Sequence, residues 1–164
     1  MQVNDYVIYG NAGICKVSDM IHPDFVEDKT KMYYVLISEN MENSVFYVPV
    51  EIAESKCRKI ISKQDAETLI ENAGQIGMEI AVKDNEREQL YKEALREGNL
   101  ERIIGILKNI SMRKEKRKAA GKKITAIDDK YFRIADKTVC RELGFALNLT
   151  DDEVRERLIS SENK

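Results

Sequence analysis

Asn4-Asp5-Tyr6-Val7-Ile8-Tyr9-Gly10-Asn11-Ala12-Gly13-Ile14-Cys15-Lys16-Val17 decides the fold. Two runs rich in β-branched and aromatic residues flank a turn with glycine at each end. Glycine reaches positive φ without a Cβ clash, so the chain can reverse at Gly10 and Gly13 and pair with itself. Tyr6 and Ile8 then alternate with Val7 and Tyr9 across the first strand. The later apolar runs are too short to form a core alone and read as strands added to this hairpin.

The second strand, about 13–21, places Cys15, Val17 and Ile21 on one face and Lys16 and Ser18 on the other. His22-Pro23-Asp24 ends it, because proline cannot donate to a ladder. A polar loop over 24–31 leads to Lys31–Ile37, the most apolar run, which predicts a central strand. Asn40-Met41-Glu42-Asn43 turns the chain into Ser44–Val48, and Pro49 closes that strand. Cys57–Ile61 supplies a fifth. Five short strands within about sixty residues predict a Tudor- or SH3-like five-stranded β-barrel over 1–61.

Everything after residue 61 reads as helix, giving an α+β chain with an all-helical domain over 62–164. Ser62 caps a helix carrying Ala66, Leu69 and Ile70, and Gln75–Met78 reads as a linker. Asp84 is placed to cap a helix with Arg87, Leu90, Tyr91, Ala94 and Leu95 along one side, stopped by Gly98. Asn99 caps the next, whose stripe is Leu100, Ile103, Ile104, Leu107 and Ile110. Thr125 opens a long helix with Ile127, Tyr131, Ile134, Thr138, Val139 and Leu143 on one face. Thr150–Glu153 is a capping box for a last helix anchored by Val154 and Leu158.

Charge is uneven although the net value is only −2. Residues 1–61 hold nine acids against six bases, which leaves 21 of the 27 bases and 20 of the 29 acids for the remainder. Between Arg113 and Lys123 stand seven bases (Arg113, Lys114, Lys116, Arg117, Lys118, Lys122 and Lys123) and one acid, Glu115. Such a run neutralises phosphates and releases counterions, or it decorates a solvated helix end.

Catalysis has little to stand on. Cys15 and His22 lie near each other in sequence, but no third group orients them and Cys15 shares the face of Val17. Phosphate-cradling glycine loops are absent. Cys15, Cys57 and Cys140 are widely spaced and, beside a single histidine, make no zinc pattern, so buried free thiols in a reducing compartment are expected. No apolar run has the length of a membrane span and no signal pattern opens the chain, which predicts a cytoplasmic protein without membrane contact, cofactor, metal or small-molecule substrate.

Asp5–Tyr9, the glycine turn and Gly13–Val17 resemble the opening of the CarD family of bacterial transcription regulators. Tyr33-Tyr34-Val35-Leu36 and Val48-Pro49-Val50 follow at about the family's spacing, whereas Asn4, Gly10 and Ala12 replace the family's Gly, Pro and His. The resemblance implies that the first domain binds the RNA polymerase β subunit through the strand containing Val45, Phe46, Tyr47 and Val48. Tyr47 falls where relatives often place a partner-contacting arginine. It further implies that the helical domain lies on promoter DNA, with Arg87, Lys92 and the Arg113–Lys123 run as the contacting residues. Tyr91-Lys92 matches the family's Tyr-Lys pair, which puts Arg87 where the family places a tryptophan wedge, and this chain has no tryptophan. The competing reading is a protein adaptor that binds no DNA.

Overall fold

The computed structural model describes residues 1–39, 41, 43–81 and 83–162. The expected turn residues Asn40 and Glu42, and the capping side chain of Asp84, lie outside what is described. The chain is α+β and divides into two compact units, Met1–Ile60 and Ile61–Lys164.

The N-terminal unit is one antiparallel sheet of β1 (Tyr6–Tyr9), β2 (Gly13–Ile21), β3 (Tyr33–Ser38), β4 (Val45–Pro49) and β5 (Cys57–Lys59). The opening hairpin forms, with Tyr6 opposite Lys16 and Tyr9 opposite Gly13. Its turn is a single 3-10 turn in which Gly10 (φ 44°) and Gly13 (φ 72°) both take left-handed backbone. Strand order is β4-β3-β2-β1-β5, so β2 is central and the more apolar β3 sits one place from the edge. The nine residues of β2 serve two neighbours in turn, Gly13–Lys16 pairing with β1 and Cys15–Ile21 with β3, so length decides centrality over hydrophobicity.

Closure into a barrel does not occur: β4 and β5 remain the two edges. A closed barrel needs strands long enough to tilt and stagger against both neighbours. β5 has three residues, all spent on β1. The segment between β4 and β5 coils instead into a short helix, α1 (Val50–Lys56), which the sequence pattern does not announce. Glu51 in its first turn and Lys56 in its last complement the helix dipole. Its Ala53 is fully buried with Val7, Ala12, Cys15, Val17, Leu36 and Val48.

A second departure comes from a bulge between Val17 and Asp19. Val17 opposes Leu36, but beyond the bulge Met20 opposes Tyr34 and Ile21 opposes Tyr33. Directly opposed residues share a face, so one extra residue moves Ile21 off the face of Cys15 and Val17.

The C-terminal unit comprises α2 (Lys63–Glu71), α3 (Arg87–Glu97), α4 (Leu100–Ala119), α5 (Ala126–Leu147) and α6 (Asp151–Glu162). Ser62, Asn99 and Thr125 cap α2, α4 and α5 by accepting the N–H of Asp65, Arg102 and Asp128, each at 3.1 Å. Thr150 and Glu153 complete the capping box, with the Thr150 N–H donating to the Glu153 carboxylate at 2.8 Å. α3 starts differently: a 3-10 turn over Asp84–Glu86 precedes it, and its flanking residue Glu86 makes no side-chain cap.

α4 joins two cores. Leu100, Ile103 and Ile104 pack with α2, α5 and α6, while Ile106 and Ile110 pack with Tyr91, Ala94 and Tyr131. On α5 the buried row is Asp128, Tyr131, Ala135, Val139 and Leu143, whereas Ile127 and Ile134 are 36% and 42% exposed. Tyr131, Val139 and Leu143 of the expected face are in that row; Ile127 and Ile134 are not, because the inward positions beside them hold an acid, Asp128, and a small residue, Ala135.

The expected linker is instead a docked segment. The Lys108 ammonium donates to the carbonyls of Ala73 (2.5 Å), Gly74 (3.2 Å) and Ile76 (2.9 Å). Glu79 donates its N–H to Gly105 O at 3.2 Å, and Asn109 donates back to Glu79 O. This approach requires glycine at 105, where a Cβ would stand 2.6 Å from Gly77 O. Gly105→Ala therefore lowers unfolding free energy by about 1–3 kcal/mol through overpacking, against alanine's helix preference of about 1 kcal/mol. Urea unfolding followed by circular dichroism measures it; an unchanged or higher midpoint would contradict the docking.

Candidate interaction surfaces

The free edge at β4 follows from its ladder to β3. Ser38 donates its N–H to Ser44 O (3.1 Å) and Val50 donates to Met32 O (3.0 Å). In an antiparallel pair the bonded residues alternate, so Ser44, Phe46 and Val48 turn their backbone groups toward β3. Val45 and Tyr47 turn theirs outward, as does the nitrogen of Pro49, whose carbonyl begins α1 as its N-cap. Proline's missing N–H thus falls on the solvent side, where it costs the sheet nothing.

The side chains divide similarly. Val45 and Tyr47 are 45% and 44% exposed on the outer face. Val48 is buried in the core, and Phe46 packs against it with its ring 5.5 Å from that of Tyr9. Of the four residues expected to meet a partner, two present side chains to solvent and two hold the strand in place. Sequence reasoning missed Phe25, whose exposed ring lies edge-on to Tyr47 with centroids 4.9 Å apart. Its only signal was one aromatic residue in an otherwise charged loop.

In the helical unit the expected phosphate-facing residues separate into two groups. Arg87 is not at the surface; it is 6% exposed, with its Nε 2.8 Å from Oδ1 of the fully buried Asp128. Arg113 approaches the other carboxylate oxygen at 3.3 Å, and the Tyr91 hydroxyl donates to Oδ1 at 3.2 Å. Burial, with the Asp128 charge second, pushes the Tyr91 phenol well above its usual range. Asp128 thereby ties α3, α4 and α5 together. Nothing in its sequence context marked it, since an acid three residues after Thr125 reads as an ordinary first-turn acid.

The rest of the basic run sits on the last turns of α4 and the loop beyond. Gly121 (φ 68°) ends the helix with Lys122 N–H donating to Arg117 O and Gly121 N–H to Lys118 O, the two bonds of a Schellman cap. The Arg117 Nε donates to Lys123 O at 2.6 Å, and Lys114 Nζ lies 6.0 Å from the Phe132 ring centroid. Lys114, Lys116, Lys118, Lys122 and Lys123 are exposed, while Arg113 and Arg117 are half-buried. Lys92 pairs with Glu88 at 3.1 Å, and Tyr131 donates to the same carboxylate at 3.0 Å. Those two hydrogen bonds, that from Lys92 first, hold the Glu88 carboxyl below its ordinary range.

No thiol–imidazole pair forms. Cys15 is fully buried in mid-strand, and His22 lies seven residues on, roughly 23 Å along an extended chain. His22 instead turns its Nδ1 to Lys31 O at 3.2 Å. All three cysteines are free, and burial pushes the Cys15 and Cys140 thiols up to about 11 and about 12. Among the described residues no three histidine, cysteine or acidic side chains converge as a metal site, and no helix is long and apolar enough to cross a membrane.

An open antiparallel sheet with an uncharged edge strand leaves main-chain groups to which another strand can add. Residues 1–61 match the family model of the CarD-like/TRCF RID domain, and this part of the chain is similar to that domain. That domain type is a protein-interaction domain and points to transcription-related binding of RNA polymerase. No curated protein matches the chain.

Breaking the Asp128 cluster has a defined cost. Asp128→Ala leaves two arginines without their carboxylate and lowers unfolding free energy by about 3–5 kcal/mol. Denaturant unfolding at neutral pH reads this directly, and a loss below about 1 kcal/mol contradicts the organising role of Asp128.

Proposed function

We propose that this protein is a bacterial transcription regulator with two contacts. Its N-terminal domain, residues 1–61, binds the RNA polymerase β subunit, and the helical domain, 62–164, meets promoter DNA, shifting the stability of the initiation complex without catalysis. The observation that carries the reading is the free β4 edge on a domain matched to a polymerase-interacting family. A partner strand added to β4 gains main-chain hydrogen bonds from Val45 and Tyr47, and the same two residues supply apolar contact. Aromatic area at residue 47 takes the place of the family's charge-assisted bond.

The DNA contact is assigned to Lys114, Lys116, Lys118, Lys122 and Lys123, supported by their exposure and like charge. Arg87 and Arg113 are engaged by Asp128 and drop out of that surface, and with Arg87 goes the position of the family's wedge. Binding through the remaining lysines is electrostatic, steep in salt and indifferent to sequence.

Tyr47→Ala should weaken binding of the polymerase β subunit about tenfold, equivalent to roughly 1.4 kcal/mol. The melting temperature should barely move, because the side chain is half-exposed. Biolayer interferometry on immobilised β subunit provides the measurement, and unaltered affinity removes this edge from the reading.

Replacing Lys116, Lys118 and Lys122 together by alanine should flatten the dependence of promoter binding on salt by about one unit of log–log slope for each phosphate-bound lysine replaced. Filter binding over a potassium chloride series reads the slope. An unchanged slope returns the protein to the adaptor reading, in which only the N-terminal domain has a partner.

A further inference from the structure

We infer that Phe25 is a second anchor of the polymerase contact. With Tyr47 it forms an aromatic pair on the outer face of the sheet, and an apolar side chain of the β subunit packs against both rings. The inference rests on the polymerase reading of residues 1–61 and adds to it a loop, a residue and the chemistry of the group that meets them.

Phe25 lies in the connection between β2 and β3, among Asp24, Glu27, Asp28, Lys29 and Lys31. At 66% exposure, no large apolar side chain among the described residues is more open to water. A single exposed apolar residue is ordinary, but this one is not single. Its ring meets that of Tyr47 edge-on, with centroids 4.9 Å apart and planes at 72°, a favoured arrangement of two rings. Val45 opposes Ile37 and Tyr47 opposes Val35 across the ladder, so these side chains share the outer face. Phe25, Tyr47, Val45 and Ile37 are all exposed and extend one apolar surface from the loop onto the edge strand. Contiguous surfaces of this kind mark interaction sites.

The loop holds the ring in place before any partner arrives. His22 Nδ1 lies 3.2 Å from Lys31 O, which closes the loop at its base. Inside it, the Lys29 ammonium donates to Asp24 O at 2.8 Å and the Thr30 hydroxyl to Asp28 Oδ1 at 2.6 Å. Lys31 N–H donates to Asp28 O at 3.2 Å. A side chain displayed by an ordered loop gives up little freedom on binding, and rigid aromatic groups make effective anchors for that reason.

Tyr47 belongs to the edge strand, so the pair stands where an added strand brings its own outer-face side chains. Cross-strand neighbours on one face lie about 5 Å apart, within reach of both rings. The ring faces are the negative side of the aromatic quadrupole and disfavour a carboxylate. Val45 and Ile37 beside them are aliphatic, and a cation set there would lose its hydration. The group that fits is therefore apolar.

Interferometry of the full chain on immobilised β subunit tests the anchor through a double-mutant cycle. Phe25→Ala should weaken binding about tenfold, as Tyr47→Ala does, with the melting temperature unchanged because the ring is mostly in water. The double variant should lose about twentyfold and not the roughly hundredfold product of independent contacts, because each ring is part of the other's binding surface. The loss caused by Phe25→Ala should be the same at about 0.1 M and about 0.5 M potassium chloride, since no charge is removed. Parent affinity in Phe25→Ala beside a weakened Tyr47→Ala overturns the anchor and leaves the β4 edge standing. Parent affinity in both variants overturns the anchor and the edge together. A double variant that reaches the full product, or a loss that shrinks in high salt, also overturns the inference.

Discussion

A carboxylate taken wholly out of water is unstable unless cations and hydrogen-bond donors replace its hydration. Asp128 has that replacement from three directions: Arg87 and Tyr91 on α3, and Arg113 on α4. The geometry of the helical unit is arranged around this requirement. α3 must present Arg87 and Tyr91 on one side, and the inner face of α4 must change from isoleucine to arginine where the core ends. Tyr131, one turn further along α5, continues the same contact into the apolar cluster of Ile106 and Ile110. The charge cluster and the hydrophobic core are thus two ends of a single seam.

The N-terminal unit is governed by a different constraint, the incomplete pairing of a short sheet. Three residues in β5 and a helix in place of a returning strand leave β4 with one neighbour. Placing Pro49 at an outward position keeps the inner ladder whole while shaping what the outer one can accept. The bulge after Val17 adds local twist to β2 and sends Ile21 toward the outer face. That face becomes more apolar than an alternating pattern would make it.

Legibility followed the locality of the signal. The hairpin, the helix starts at Ser62, Asn99, Thr125 and Thr150, and the stop at Gly98 are all set by a few adjacent residues, and all were readable. What escaped depends on residues far apart in the chain. Gln75–Met78 looks like a linker until Lys108 and Gly105 are brought against it from thirty residues away. Arg87 looks like a surface base until Asp128 arrives beside it. The bulge has no glycine or proline to announce it, and α1 hides because seven residues after a strand can be either loop or helix. The basic run was visible as composition, but only geometry divides its residues into those bound inward and those left in water.

That division on α4 bears on how such a protein can change over evolutionary time. The helix runs for twenty residues, about 30 Å, and its apolar packing ends near Ile110. Arg113 is tied to the fold, whereas Lys114, Lys116 and Lys118 project beyond the core. Substitutions there can add or remove charge one residue at a time with little effect on stability. The strength of an electrostatic contact is therefore an adjustable quantity in this architecture, open to drift and selection separately from the fold that displays it.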